Sequence, residues 1–183
     1  RVRPYVFAHV VPGLFTSAIA IFSAGTTLRW VRDTLCANLV AQADREQIDV
    51  YDLMTSLAGQ SEPGAGGLIF NPSLAGGTSL DGSPDIRGAL IGLDLGHSQG
   101  DIIRAAMEGV ALGLRRVLDE LRALTPLCDE MLMVGGGSRS PLWRQICADA
   151  CNINVVKSNV DEQAAALGAA TVAAVGSGLW KSF

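Results

Sequence analysis

The chain has 183 residues, of which 49% are hydrophobic, 17% charged and only 5% aromatic. That length and composition suit one domain with a sizeable buried core and exclude a disordered chain. A formal net charge of -4 excludes a broad nucleic-acid-binding surface, although a local phosphate site remains compatible with it.

No charged residue occurs from Tyr5 to Thr27, and Arg1 and Arg3 precede this stretch. Pro12-Gly13 is a turn signal at its middle, and His9, Thr16 and Ser17 dilute it. It therefore reads as two buried strands, Val6 to Val10 and Ser17 to Phe22, and not as a signal peptide or membrane span. A chain that begins without Met is expected to be an internal piece of a longer protein. "SAGTTLRWVRDTL" then predicts a strand-to-helix turn and a helix with Leu28, Val31 and Leu35 on its apolar face, Arg29, Arg32 and Asp33 off it.

A second amphipathic helix is predicted from Asp49 to Ala58 and is broken by "GQSEPGAGG". A short strand at Leu68 to Phe70, a loop over Asn71 to Asp85 and another strand at Gly88 to Leu93 follow. The strongest element is a helix from Gln99 to about Ala123, with Ser98 as N-cap and Asp101 completing a capping box. Gly109 and Gly113 inside it cost about 1 kcal/mol each relative to Ala, which predicts close approach of another backbone. Glu130 to Val134 reads as a buried strand, Gly135-Gly136-Gly137 as a turn, and Ser140-Pro141 as the cap and first residue of a helix reaching about Cys151. Val155-Val156 is a strand, and Asp161 to about Val175 a final helix rich in Ala and Gly. This order is α/β.

Cys36, Cys128, Cys147 and Cys151 contain no C-x-x-C pair and have no neighbouring His, so they do not read as a zinc site, and Cys147 and Cys151, four apart on one helix face, read as buried thiols. A reducing, cytoplasmic setting fits them. His9 and His97 stand alone and read as structural. Glu108 is either a buried hydrogen-bonding group or a functional one, and Asp161 and Glu162 suit the start of a helix.

Two glycine turns carry the chemistry. Gly135, Gly136 and Gly137 precede a helix N-terminus, where unpaired N–H groups and a partial positive charge favour a phosphate, and Ser138, Arg139 and Ser140 add donors. "GGGSRS" lacks the Gly-Lys-Ser/Thr of a Walker loop and the third glycine of a dinucleotide fingerprint. Its spacing alone does not decide between nucleotide contact and a plain turn. In "SAGTT", Gly25, Thr26 and Thr27 open a helix with Arg29 one turn in, and taken alone this too reads more simply as a bend. Two such turns in one domain point to a shared ligand cleft.

"SAGTTLRW", "RGALIGLDLGHSQGDIIRAAMEGVALGLRRVLDEL", "GGGSRSPLWRQICADA" and "EQAAALGAATVAAVG" occur in an order that resembles the carboxy-terminal domain of FGGY carbohydrate kinases, most of all the xylulokinase group. The resemblance covers nearly the whole chain, residues 1–183. It implies an actin-like ATPase domain, with a ribonuclease H-like mixed sheet flanked by helices, and a partner amino-terminal domain of the same full-length chain. It implies transfer of the ATP γ-phosphate, with Mg2+, to a hydroxyl of a pentulose, xylulose first. Gly136 and Gly137 match glycines beside adenosine, with Gly135 and Ser138 next to them. Gly25, Thr26 and Arg29 match positions near the phosphates and ribose. The family's general base is an aspartate upstream of any segment present here, so no catalytic or metal-binding residue is assigned and the isolated piece is expected to be inactive. A homodimer, a kinase for another ketose or polyol, and a non-catalytic actin-like nucleotide-binding or assembly module are the alternatives. Where xylulokinases have a Gly-Glu-Arg-Thr-Pro-like segment, this chain has "AGGTSLDGSPDIRG".

Overall fold

A computed structural model describes residues 3–160 and 163–183. Strands β1 (Tyr5–Ala8) and β2 (Phe15–Ala18) pair antiparallel, joined through Gly13 at a φ of 83°. Helices α1 (Gly25–Leu35), α2 (Ala37–Glu46) and α3 (Val50–Gly59) follow. Strands β3 (Ile69–Asn71) and β4 (Ala89–Ile91) form a second antiparallel pair around the predicted loop. Then come α4 (Gln99–Arg122), β5 (Glu130–Met133), α5 (Pro141–Cys151), β6 (Asn154–Lys157) and α6 (Ala164–Gly176). β5 and β6 are parallel, with α5 as their crossover, which is the α/β unit read from the sequence.

α4 is the centre of the molecule, and its start follows from its sequence. The Ser98 hydroxyl accepts from the Asp101 backbone N–H while the Asp101 carboxylate accepts from the Ser98 N–H, so the capping box is present at both ends. Hydrogen bonds from the Ser98 side chain and backbone hold the Asp101 carboxyl below the usual carboxylate range. The inward face carries Ile103, Ala106, Met107, Val110 and Ala111, all buried, and meets Leu28 and Val31 of α1, Met54 and Ala58 of α3, Phe70 of β3, and Trp143 and Ile146 of α5 in one core.

The buried cation on this helix is fully engaged. Arg104 is only 7% exposed; its Nε donates to Glu108 Oε1 at 2.8 Å and its terminal nitrogen to the Ser61 carbonyl at 3.0 Å. Glu108 Oε1 also accepts from the Gly64 N–H at 3.0 Å, so Glu108 pins the α3–β3 corner to α4 and its role is structural. At the far end Arg115 and Arg122 donate to the carbonyls of Ala150 and Cys151, where cations complement the C-terminus of α5.

Several expectations change. The strands at the amino terminus are exposed, not buried: Tyr5, Val6, Phe7 and Phe15 all lie open. β5 alternates between exposed and half-buried residues and is not a buried strand. An apolar run is read as buried by default, but burial needs a covering layer, and the described residues bring none over these strands. Leu35 is exposed where the helix stripe placed it inside. α2, which the sequence reading did not single out, leaves only Leu39 and Ala43 buried. α6 buries no residue, and Asp161 and Glu162, expected to open it, lie outside the described residues. Gly109 does face backbone, whereas Gly113 faces only the Ile21 side chain at 3.7 Å.

All four thiols are free; Cys147 and Cys151 are buried as expected, Cys36 is buried too, and Cys128 is exposed in the connection before β5. Burial pushes the Cys147 thiol up to about 12, with the neighbouring Cys151 adding to the shift, and burial also raises Cys36 and Cys151. A maleimide at pH 8 should therefore modify Cys128 alone in the folded protein and all four cysteines in denaturant, as read by intact mass. Modification of Cys147 without denaturant would contradict this packing. His97 is side-chain-buried at 5% exposure, and its Nδ1 accepts from the Asp94 N–H at 3.0 Å. His9 Nδ1 accepts from the Val11 N–H, so both histidines serve turns.

Candidate nucleotide cleft

The two glycine turns converge. One cavity of about 530 Å³ is lined by Gly25 and Arg29 of α1, by Gly135, Gly136 and Gly137, and by Arg139 and Ser140. α3 supplies the facing wall through Asp49, Tyr51, Asp52 and Thr55, and Met107 and Trp143 reach it from the core.

Each glycine is there for a different physical reason. Gly135 has φ 87° and ψ 178°, a region open in practice to glycine alone. Gly137 is limited by crowding: a Cβ there would lie 3.0 Å from two ring carbons of Trp143 and 3.3 Å from the Met133 methyl. The turn thus packs close against the indole, whose Nε1 is the one buried side-chain polar atom without a hydrogen-bond partner among the described residues. Gly25 needs neither explanation. Its φ is not positive and a Cβ would meet nothing within 4 Å, so its missing side chain leaves open space at the first residue of α1. The N-cap of α1, Ala24, makes no side-chain hydrogen bond, and the first turn holds no acid that would offset its partial positive charge.

The remaining sequence candidates fall into two groups. Arg29 is exposed on the cleft wall, one helical turn from Gly25. Thr26 is exposed beside Gly25 but does not line the cavity, and Thr27 is buried, with its hydroxyl donating to the Ser23 carbonyl. Ser138 is fully buried; its hydroxyl donates to the Gly135 carbonyl at 2.8 Å and its carbonyl accepts from Arg144, so its side chain braces the turn and does not line the cavity. Ser140 accepts from the Trp143 N–H at 3.1 Å and caps α5 as its position predicts.

Sequence reasoning missed the α3 wall. Asp49 is the N-cap of α3, accepting from the Tyr51 N–H at 2.9 Å, and its second oxygen lies 3.8 Å from the Arg139 guanidinium. Tyr51 is held by Arg32, which donates to its hydroxyl at 3.0 Å and places a guanidinium 5.3 Å from the ring centroid. The Asp33 carboxyl beside it stays below its ordinary range, chiefly through the hydrogen bond from Arg32. The only signal available beforehand was Asp49 at a helix start, and capping already accounts for that.

Comparison with known proteins gives this geometry a setting. Residues 2–177 match the model for the FGGY family of carbohydrate kinases, C-terminal domain. The chain is 38% identical over 138 residues to a gluconokinase of Bacillus subtilis, covering 73% of this chain and 26% of that protein. It is 31% identical over 178 residues to a xylulose kinase of Staphylococcus epidermidis, covering 97% and 34%, and 33% identical over 188 residues to an autoinducer-2 kinase of Salmonella paratyphi B, covering 100% and 34%. It therefore spans about a third or less of these relatives' length. Among solved structures, the xylulose kinase of Rhodospirillum rubrum superposes with a TM-score of 0.71 at 30% identity, over 96% of this chain and 33% of that one. The ligand-bound xylulose kinase of Lactobacillus acidophilus gives 0.73 at 25% identity, over 92% and 32%. The mixed α/β architecture is the actin-like ATPase fold of these kinases, and this chain belongs to the FGGY family of carbohydrate kinases, matching its C-terminal domain.

Proposed function

We propose that this chain is the nucleotide-binding half of a sugar kinase that transfers the ATP γ-phosphate to a hydroxyl of a pentulose, xylulose first. The observation that carries the reading is the single cavity onto which both glycine turns open. In this reading the phosphates lie at the α1 start, on the Gly25 N–H with Arg29 beside it, and Thr26 flanks the site without lining the cavity. The nucleoside runs along the Gly135-Gly136-Gly137 turn, whose shape Ser138 maintains. The open space at Gly25 is what a bulky anion needs for close approach to backbone. When bound, ATP supplies the phosphoryl group; the chain's residues hold and orient it.

Among the described residues, no group of three His, Cys, Asp or Glu side chains is placed to hold a metal ion, so Mg2+ in this reading arrives with the phosphates. The residue that takes the proton from the sugar hydroxyl belongs to an amino-terminal domain of the full-length protein. The open apolar faces of β1, β2 and α6 suit cover by such a domain. Among the described residues no helix is long and apolar enough to cross a membrane. We place the protein in the cytoplasm on its four free thiols, which suit a reducing setting.

A gluconate-directed reading stands second, because the gluconokinase match has the higher identity over the part it covers. The test is ADP release by the full-length protein with ATP–Mg2+ and a panel of ketoses, polyols and gluconate. Turnover with xylulose well above the rest is expected, and turnover with gluconate above xylulose would favour the second reading. No sugar-dependent release with any acceptor would overturn the kinase assignment. Residues 1–183 alone should show no turnover, and sugar-dependent hydrolysis by them would refute the division of labour.

A further inference from the structure

The polar side chains on the α3 side of the cleft are unequally engaged. Asp49 caps α3 through the Tyr51 N–H and faces the Arg139 guanidinium, while the Tyr51 hydroxyl accepts from Arg32. Asp52 and Thr55 also line the cavity, and neither side chain has a hydrogen bond or ion pair among the described residues. They stand three residues apart on α3 and are therefore neighbours on one helix face, Asp52 exposed and Thr55 half-buried. An acid in the first turn suits the α3 dipole, but that does not require it to border a cavity. Thr55 departs from its own kind: Thr27 and Thr171 turn their hydroxyls back to the carbonyl four residues earlier, and Thr55 does not.

Charge decides which part of a nucleotide this pair can serve. Phosphates are drawn to the α1 start and Arg29, and a carboxylate beside them would only repel them. The sugar between phosphate and base carries two adjacent hydroxyls, both donors. An ionised carboxylate is an acceptor only, with two oxygens, and a threonine hydroxyl one turn on can both donate and accept.

Resting on the nucleotide reading above, we infer that Asp52 and Thr55 are specificity-determining residues of the donor site and form its ribose subsite. The Asp52 carboxylate accepts from the 2′- and 3′-hydroxyls, and the Thr55 hydroxyl completes the contact from the next turn of α3.

Calorimetric titration of the full-length protein with ADP and with 2′,3′-dideoxy-ADP, which lacks both hydroxyls, tests this. The unaltered protein should favour ADP at least about tenfold, the scale of a hydrogen bond to a charged acceptor. Asp52→Ala should weaken ADP about tenfold and leave dideoxy-ADP within about twofold, so the preference collapses. Thr55→Val keeps the shape, removes the hydroxyl and should weaken ADP about threefold, again sparing dideoxy-ADP. A loss shared equally by the two ligands in Asp52→Ala would overturn the ribose role and leave the nucleotide reading standing. So would an unaltered protein without a preference, or tighter ADP binding by Asp52→Ala, which would place the carboxylate beside the phosphates. Failure of the unaltered protein to bind ADP would overturn the reading beneath it.

Discussion

Gly109→Ala is expected to lower the melting temperature by about 4–8 °C, roughly 2 kcal/mol for a domain of this size. A Cβ at this position would lie 2.0 Å from the Phe70 carbonyl oxygen and 3.1 Å from its carbon. Both are backbone atoms of β3, so no side-chain rotation relieves the contact, and β3 must move off α4 at the centre of the core. Alanine's better helix propensity, about 1 kcal/mol, offsets only part of this. Gly113→Ala provides the contrast on the same helix. Its nearest neighbour is the Ile21 side chain at 3.7 Å, ordinary contact, so the propensity gain should raise the melting temperature by a few degrees. Thermal denaturation of the two variants decides the matter. A Gly109→Ala protein as stable as the unaltered one would mean that α4 and β3 do not meet as described.

The second large effect concerns the cleft. Gly25→Val should fold normally, because a Cβ there would meet nothing within 4 Å, yet it should lower ADP affinity at least about tenfold by filling the α1 start, a difference near 1.4 kcal/mol. Gly137→Val should lose affinity by a similar factor through a different route. Its Cβ alone crowds the Trp143 ring and the Met133 methyl, so the turn should lift and melting temperature fall with affinity. Titration with ADP and a melting curve separate the two mechanisms. If both variants bind ADP as the unaltered protein does, the glycine turns do not border the donor site.

These outcomes turn on properties that were unequally visible in the amino-acid order. The start of α4 was legible because the Ser98–Asp101 box is a local device, closed within four residues. The same holds for Ser140 and Pro141 at α5, and for the βαβ unit around the glycine turn. Gly109 was legible as a costly helix glycine whose compensation had to be another backbone. That its partner is Phe70, and that Gly113 has no such partner, depends on where β3 crosses α4.

The cleft divides in the same way. Gly25, Arg29 and Gly135 to Gly137 could be marked in advance because unpaired N–H groups and missing side chains at helix starts are local facts. Ser138 could not be separated from them, since nothing local shows that its hydroxyl turns back to the Gly135 carbonyl. Asp49, Tyr51, Thr55 and Arg139 were invisible as a group: they lie on segments some ninety residues apart, and only the packing of α3 and α5 on α4 brings them to one cavity. Burial was the least legible property. The run from Tyr5 to Thr27 is apolar enough for a core, yet β1 and β2 stand open. The amino-acid order by itself determined the capped helices, the glycine turns and the family, because caps, periodicity and motifs act within a few residues. Tertiary structure decided which surfaces are covered and which side chains face the cleft, because burial and convergence are relations between distant segments.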